Sequence, residues 1–290
     1  MRPDEIRFGP APLGLAAGRG PVRVTWLGTA GFAIEHEGFV VLIDPYLTRA
    51  SLGQCARGAL VSDPEVLAAH VSRADAIVAG HAHFDHVLDV PTLARVTGAR
   101  VFGSKSCARL CRAAGVHERQ VVDVESSMGQ SPVEAEVGPF ALRFVPSAHS
   151  AFALGRVPFE GEIADCPELP LGVHEYRCGA VFSVDLRVAG RRLYHLGSAE
   201  LIDAQARPGV DLLMLCVAGW TTTPRFAPRV LSALDPGVVL LSHWDNFFQP
   251  FSRGAAPLPA MKMGALVDAL SAQSRGLAVG TLDHFGSLSL

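Results

Sequence analysis

The 290-residue sequence predicts an α/β protein built as a four-layer αββα sandwich, two β-sheets packed face to face with helices on their outer faces. Two observations carry that expectation. Each half of the chain contains a meander of short β-type runs, and in each half strands then alternate with helices. A third, the lack of any short-period repeat or low-complexity linker, makes residues 1–290 one domain, with residues 1–20 as an N-terminal arm containing Pro10, Pro12 and several glycines.

The first meander comprises runs at 22–27, 32–35 and 39–44, rich in Val, Ile, Leu and Phe and separated by glycine-containing turns. A helix is expected at 64–73, where Pro64 can occupy the first turn, and a strand at 76–79. Helix 87–97, strand 100–103 and helix 105–114 continue the alternation. Strands follow at 119–124, 133–137 and 140–145. A loop-rich stretch, 150–178, precedes strands 180–188 and 192–196, which flank the turn Ala189-Gly190-Arg191, and strand 211–217. The chain closes with a helix near 225–234, a strand at 237–241, a helix around 260–272 and two short strands around 277–279 and 287–290.

Hydrophobic residues make up 49% of the chain and mean hydropathy is +0.28, yet no uninterrupted apolar stretch reaches the roughly 18 residues that a membrane span requires. The first residues carry charge without the apolar run of an export signal, so a soluble, cytoplasmic protein is expected. A net charge of -3 and only two lysines, Lys105 and Lys262, leave no basic track for nucleic acid. The six cysteines, at 55, 107, 111, 166, 178 and 216, form no CxxC pair and read as reduced core residues.

Chemistry concentrates in Gly80-His81-Ala82-His83-Phe84-Asp85-His86, directly after the strand at 76–79. Imidazole nitrogens and carboxylate oxygens are donors that borderline divalent metals accept, zinc foremost, with manganese or iron as alternatives. In an extended loop His81 and His83 project to one side, while Asp85 and His86 fall where a helix could begin. So short a run wraps poorly around one tetrahedral ion. It therefore implies either two adjacent metals or one metal with some of these residues behind the ligands. His149 and His243 each lie just past an expected apolar strand, where loops from one sheet edge converge.

The set His81, His83, Asp85, His86, His149 and His243 resembles the metallo-β-lactamase superfamily of metal-dependent hydrolases. The resemblance extends from Thr25-Trp26-Leu27-Gly28 and Leu42-Ile43-Asp44-Pro45 to Leu241-Ser242-His243. It implies one metal held by His81, His83 and His149 and a second by Asp85, His86 and His243. Asp85 would also be the catalytic group that orients the attacking water. Asp44 would support the metal loop through hydrogen bonds, its alternative being a turn cap before Pro45.

One position departs from the family. Where a Gly-Asp pair would supply a bridging aspartate, this chain has Leu196-Gly197-Ser198. Two divalent ions with only Asp85 and a hydroxide to offset them keep about one extra positive charge, so the second metal should be held less tightly. A substitute carboxylate could come from Asp245 or Glu200. His195 and His284 are candidates to support ligands rather than to bind metal.

A bound divalent metal brings the pKa of its water to about 7 and polarises the bond under attack, which implies a hydrolase using metal-bound hydroxide. Phe152, Phe159, Phe247 and Phe248, in the apolar stretches 152–176 and 247–259, are expected to line the pocket. The substrate would then be a small molecule with an apolar body and an ester, lactone or phosphodiester-type bond. Packing on the core or a homo-oligomer contact is the alternative use of these residues. A single-iron redox or oxygenase-type enzyme and a non-catalytic metal-binding protein are the rival functions.

Overall fold

The computed structural model describes residues 5, 20–128, 131–152, 155–259, 261–274 and 276–290. The expected arm at 1–20 thus lies almost wholly outside the described residues, as does Leu154 of the loop-rich stretch.

Two seven-stranded sheets form the centre. In the first, strands β1 (Arg23–Gly28), β2 (Gly31–His36) and β3 (Phe39–Ile43) run antiparallel, and β4 (Ala76–Val78), β5 (Arg100–Gly103) and β6 (Val121–Asp123) continue parallel to β3. The second repeats this plan. Strands β7 (Val133–Val137), β8 (Phe140–Pro146), β9 (Phe182–Val188) and β10 (Arg191–Leu196) are antiparallel, and β11 (Val210–Cys216), β12 (Pro236–Ser242) and β13 (Ala278–Gly280) follow in parallel. The last strand, β14 (Ser287–Ser289), returns to pair with β1, so the C-terminus closes the sheet built by the N-terminal half.

Helices α1 (Leu52–Arg57), α2 (Pro64–His70), α3 (Phe84–Val87), α4 (Val90–Thr97), α5 (Lys105–Ala113) and α6 (Glu125–Met128) belong to the first half, α7 (Phe226–Leu234) and α8 (Met263–Gln273) to the second. Alternate residues of the strands explain the layering. Val41, Ile43, Ala76 and Val78 join the core between the sheets with Leu186 and Leu193, whereas Leu42 and Ile77 face outward onto Leu67, Leu93 and Leu110 of the first-half helices. Phe102 of β5 stacks on Phe144 of β8 at 5.6 Å, a direct contact between the sheets. Val230 and Leu266, both fully buried, anchor α7 and α8 in the central core.

Several boundaries differ from expectation. The helix expected at 87–97 is two, broken at Asp89, whose fully buried carboxylate accepts hydrogen bonds from Leu47 and Thr48 amides and from the Thr48 and Ser62 hydroxyls. The strand expected at 119–124 begins only at Val121, after a 3-10 turn, and the short helices α1 and α6 were not expected. Of the six cysteines, all free, only Cys107, Cys111, Cys178 and Cys216 are buried; Cys166 is exposed, against the expectation of core residues. No helix among the described residues is long and apolar enough to cross a membrane.

Candidate metal centre

Loops leaving β3, β4, β8, β10 and β12 meet at one edge of the sandwich. The two sheets are tied there by backbone bonds: the Phe182 amide donates to the Gly80 carbonyl at 2.7 Å and the His243 amide to the Thr29 carbonyl at 2.6 Å. Gly80 sits in a tight place, since a Cβ would stand 3.2 Å from both Asp44 Oδ2 and the Phe182 carbonyl and either would have to give slightly.

His81, His83 and His149 form one group and Asp85, His86 and His243 a second, with the potential ligand atoms of each group within 4.8 Å of one another. His83 caps α3 with extended backbone, so His81 and His83 precede the helix while Asp85 and His86 ride on its single turn. Asp85 Oδ2 lies 3.3 Å from His243 Nε2 and 3.9 Å from His86 Nε2.

Hydrogen bonding fixes which nitrogen each histidine offers. A carbonyl or a carboxylate oxygen can only accept, so the ring nitrogen facing it carries the proton and the other presents its lone pair. His83 Nε2 donates to the Pro158 carbonyl at 2.8 Å, His149 Nδ1 to the Ser150 carbonyl at 2.7 Å, and His86 Nδ1 to Asp44 Oδ2 at 2.8 Å. Three lone pairs are thereby aimed into the cluster. His81 Nε2 and His83 Nδ1 face each other at 3.0 Å, and buried His81 Nδ1 and His243 Nδ1 have no protein partner. Lone pairs and a carboxylate converging in this way fit two divalent cations better than a proton-only arrangement, which satisfies such a buried cluster poorly.

Electrostatics favour the ligating forms of His81, His149 and Asp85, whereas at His86 burial is outweighed by Asp44 and Asp85, which raise the imidazole pKa and leave its ligating form to be drawn out by the metal. Burial, reinforced by the neighbouring imidazoles, pushes His81 well below the usual histidine range, and burial with His83 brings His149 down to about 4. Burial raises the Asp85 carboxyl, but His86 and His243 outweigh it and hold the group well below the carboxylate range. Neutral imidazoles beside an ionised carboxylate are the donors a divalent metal takes.

Around the centre, Asp44 accepts from the Gly80 amide at 2.6 Å with one oxygen and from His86 with the other. His195 Nε2 donates to the Ala30 carbonyl and lies 4.0 Å from Asp44 Oδ2, behind the ligands. Ser198 Oγ accepts from the Ser150 amide at 3.0 Å. Asp245 and Glu200, proposed above as substitute carboxylates, are engaged elsewhere, which corrects that expectation. Asp245 is fully buried against Arg49, His284 and the Thr29 amide, while Glu200 Oε1 pairs with Arg229 at 3.0 Å.

Thr29 and Arg49 escaped the sequence reading. Arg49 bonds Asp245, the Asn246 carbonyl and the Gln249 carbonyl, and so clamps the loop that carries Phe247 and Phe248. Thr29, Asp44, Arg49 and His243 all hold left-handed backbone at φ between 46° and 56°, each at a cost of about 1–3 kcal/mol that the surrounding contacts must offset. No local signal marks such positions in non-glycine residues.

A cavity of about 280 Å³ opens onto both groups. Phe152, Phe159, Phe247 and Phe248 line it, with Leu258 and Met261, which the sequence reading did not single out.

A family model described as a beta-lactamase superfamily domain matches residues 40–244. The chain belongs to the metallo-β-lactamase superfamily and falls among its metal-dependent hydrolases. A metal-dependent hydrolase of Myxococcus xanthus is 31% identical over 252 residues, covering 84% of this chain and 77% of the relative. Among solved structures, an isothiocyanate hydrolase from Delia radicum gut bacteria aligns with a TM-score of 0.58 at 12% identity, covering 92% of this chain and 99% of that one. CmlA, a diiron β-hydroxylase from Streptomyces venezuelae, aligns at 0.57 and 16%, covering 94% and 55%. At these identities the structural likeness concerns the fold.

Proposed function

We propose that the protein hydrolyses an ester, lactone or phosphodiester-type bond in a small substrate with an apolar body, with one metal held by His81, His83 and His149 and another by Asp85, His86 and His243. The single observation that carries this reading is the convergence of oriented lone pairs and one carboxylate at the floor of an apolar cavity. Zinc is the first choice of metal for a site of imidazole and carboxylate donors. A divalent ion bound there lowers the pKa of its water and polarises the substrate oxygen.

The chain's own residues do the rest. Asp85 orients the attacking water, while Asp44 and the Ser150 and Pro158 carbonyls hold the histidines in their ligating tautomers. Phe247 and Phe248 keep bulk water from the apolar side of the substrate. Six free cysteines, one of them exposed, suit a reducing compartment, and we place the enzyme in the cytoplasm.

The test is metal analysis of protein purified without chelator, followed by an ester, lactone and phosphodiester screen. Zinc or manganese with His83→Ala and Asp85→Ala falling by orders of magnitude supports the reading; near wild-type turnover in both sinks it. Iron in the purified protein would favour the redox alternative, which the same nitrogen and oxygen donors can serve.

A further inference from the structure

The cavity combines an apolar wall with the absence of any Lys or Arg side chain among its described lining residues. Its apolar wall includes Phe152, Phe159, Phe247, Phe248, Leu258 and Met261. Phe159 stands against His83 at 6.3 Å and Phe247 against His243 at 5.3 Å, so aromatic rings flank both ligand groups. The Phe247 and Phe248 rings lie 4.4 Å apart. Outside the ligand set, Ser150, Ser198 and Cys216 are the polar side chains of the described wall, and none of its residues is Lys or Arg. Arg49, the cation that reaches the loop behind Phe247, gives Nε and Nη2 to Gln249, Asp245 and Asn246 and is not part of the cavity wall, although its buried Nη1 has no partner.

Two physical consequences follow. An anionic group on the substrate body would leave water without a counter-charge and meet ring faces whose quadrupole is negative. The volume lies just under the roughly 300–1,000 Å³ of ordinary ligand pockets, which suits a small substrate body.

We infer that the substrate carries an uncharged, small aromatic or short aliphatic body, and that the aromatic wall rejects anionic bodies. This rests on the proposed hydrolase reading and narrows it. The test uses the full-length protein purified without chelator. Binding of benzylacetone, a ketone that cannot be hydrolysed, is compared by calorimetry with its para-sulfonate, chosen because sulfonate coordinates metals weakly. Benzylacetone should bind at least about tenfold more tightly. Phe152→Arg, at a side chain 60% exposed and so free to change without unfolding the chain, should narrow the gap several-fold by adding a cation at the rim.

Equal affinities, tighter sulfonate binding, or a gap that Phe152→Arg leaves unchanged would each overturn the inference. Turnover of benzyl acetate is measured alongside. Preference for the neutral ketone without turnover of any ester, lactone or phosphodiester would remove the hydrolase reading while leaving the charge selectivity; turnover without the preference would do the reverse.

Discussion

Asp44 and His86 meet at 2.8 Å with neither side chain more than 1% exposed, one at the end of β3 and the other at the end of α3. The second Asp44 oxygen takes the Gly80 amide, so this one carboxylate fixes both the backbone and the imidazole of the metal loop. The contact joins residues 42 positions apart and determines which nitrogen of His86 faces Asp85.

Asp44→Asn tests that relation. One amide oxygen cannot accept from both Gly80 and His86, and the new NH2 group must then face a donor. Metal affinity of the group containing His86 should fall about 10–100-fold, as for other partners of metal-bound histidines. Competition against a chromophoric chelator reads this, and unchanged affinity would refute it.

Gly197→Ala should damage the same contact from another side. A Cβ there would lie 2.7 Å from Asp44 Oδ2 and 2.8 Å from His195 Cε1, both buried and held by neighbours. Overpacking of this kind costs about 1–3 kcal/mol. Urea denaturation should show that loss together with reduced metal content, and a wild-type midpoint would count against the packing described.

Breaking the Arg49–Asp245 pair should be severe. The pair lies at 2.8 Å with side chains 2% and 0% exposed, and Arg49→Ala would leave Asp245 with only His284 and the Thr29 amide. Loss of one partner of a buried ion pair costs about 3–5 kcal/mol. A smaller double Arg49→Met, Asp245→Leu effect than the Asp245→Leu single is expected, since the double variant leaves no buried guanidinium unpaired.

Chelation should lower thermal stability. A ligand present at a hundred times its Kd adds about 2.7 kcal/mol, which for a chain of this size is of the order of 5 °C in Tm. Calorimetry with and without chelator checks it. An unchanged Tm in protein shown to have lost metal would mean that the clustered imidazoles do not depend on cations for their arrangement.

Much of the fold was legible because its periodicities are local. Runs such as Arg100–Gly103 and Val133–Val137 announce themselves as strands through their own side chains. What failed was set by distant partners. Asp89 splits a continuous helical pattern because residues from 47 to 62 claim its carboxylate, and β14 joins β1 across more than 260 positions. Asp245 offered the right chemistry at a plausible spacing, but Arg49 and His284 reach it first.

By itself the sequence determined the layered α/β plan and the donor types of the metal centre, because apolar spacing and a run of imidazoles are properties of neighbouring residues. Only the tertiary structure decided which nitrogen each histidine presents, that Asp245 and Glu200 are held by other partners, and that among the described residues the cavity wall carries no Lys or Arg side chain. Those depend on loops from separate strands converging, and convergence has no signature in local spacing.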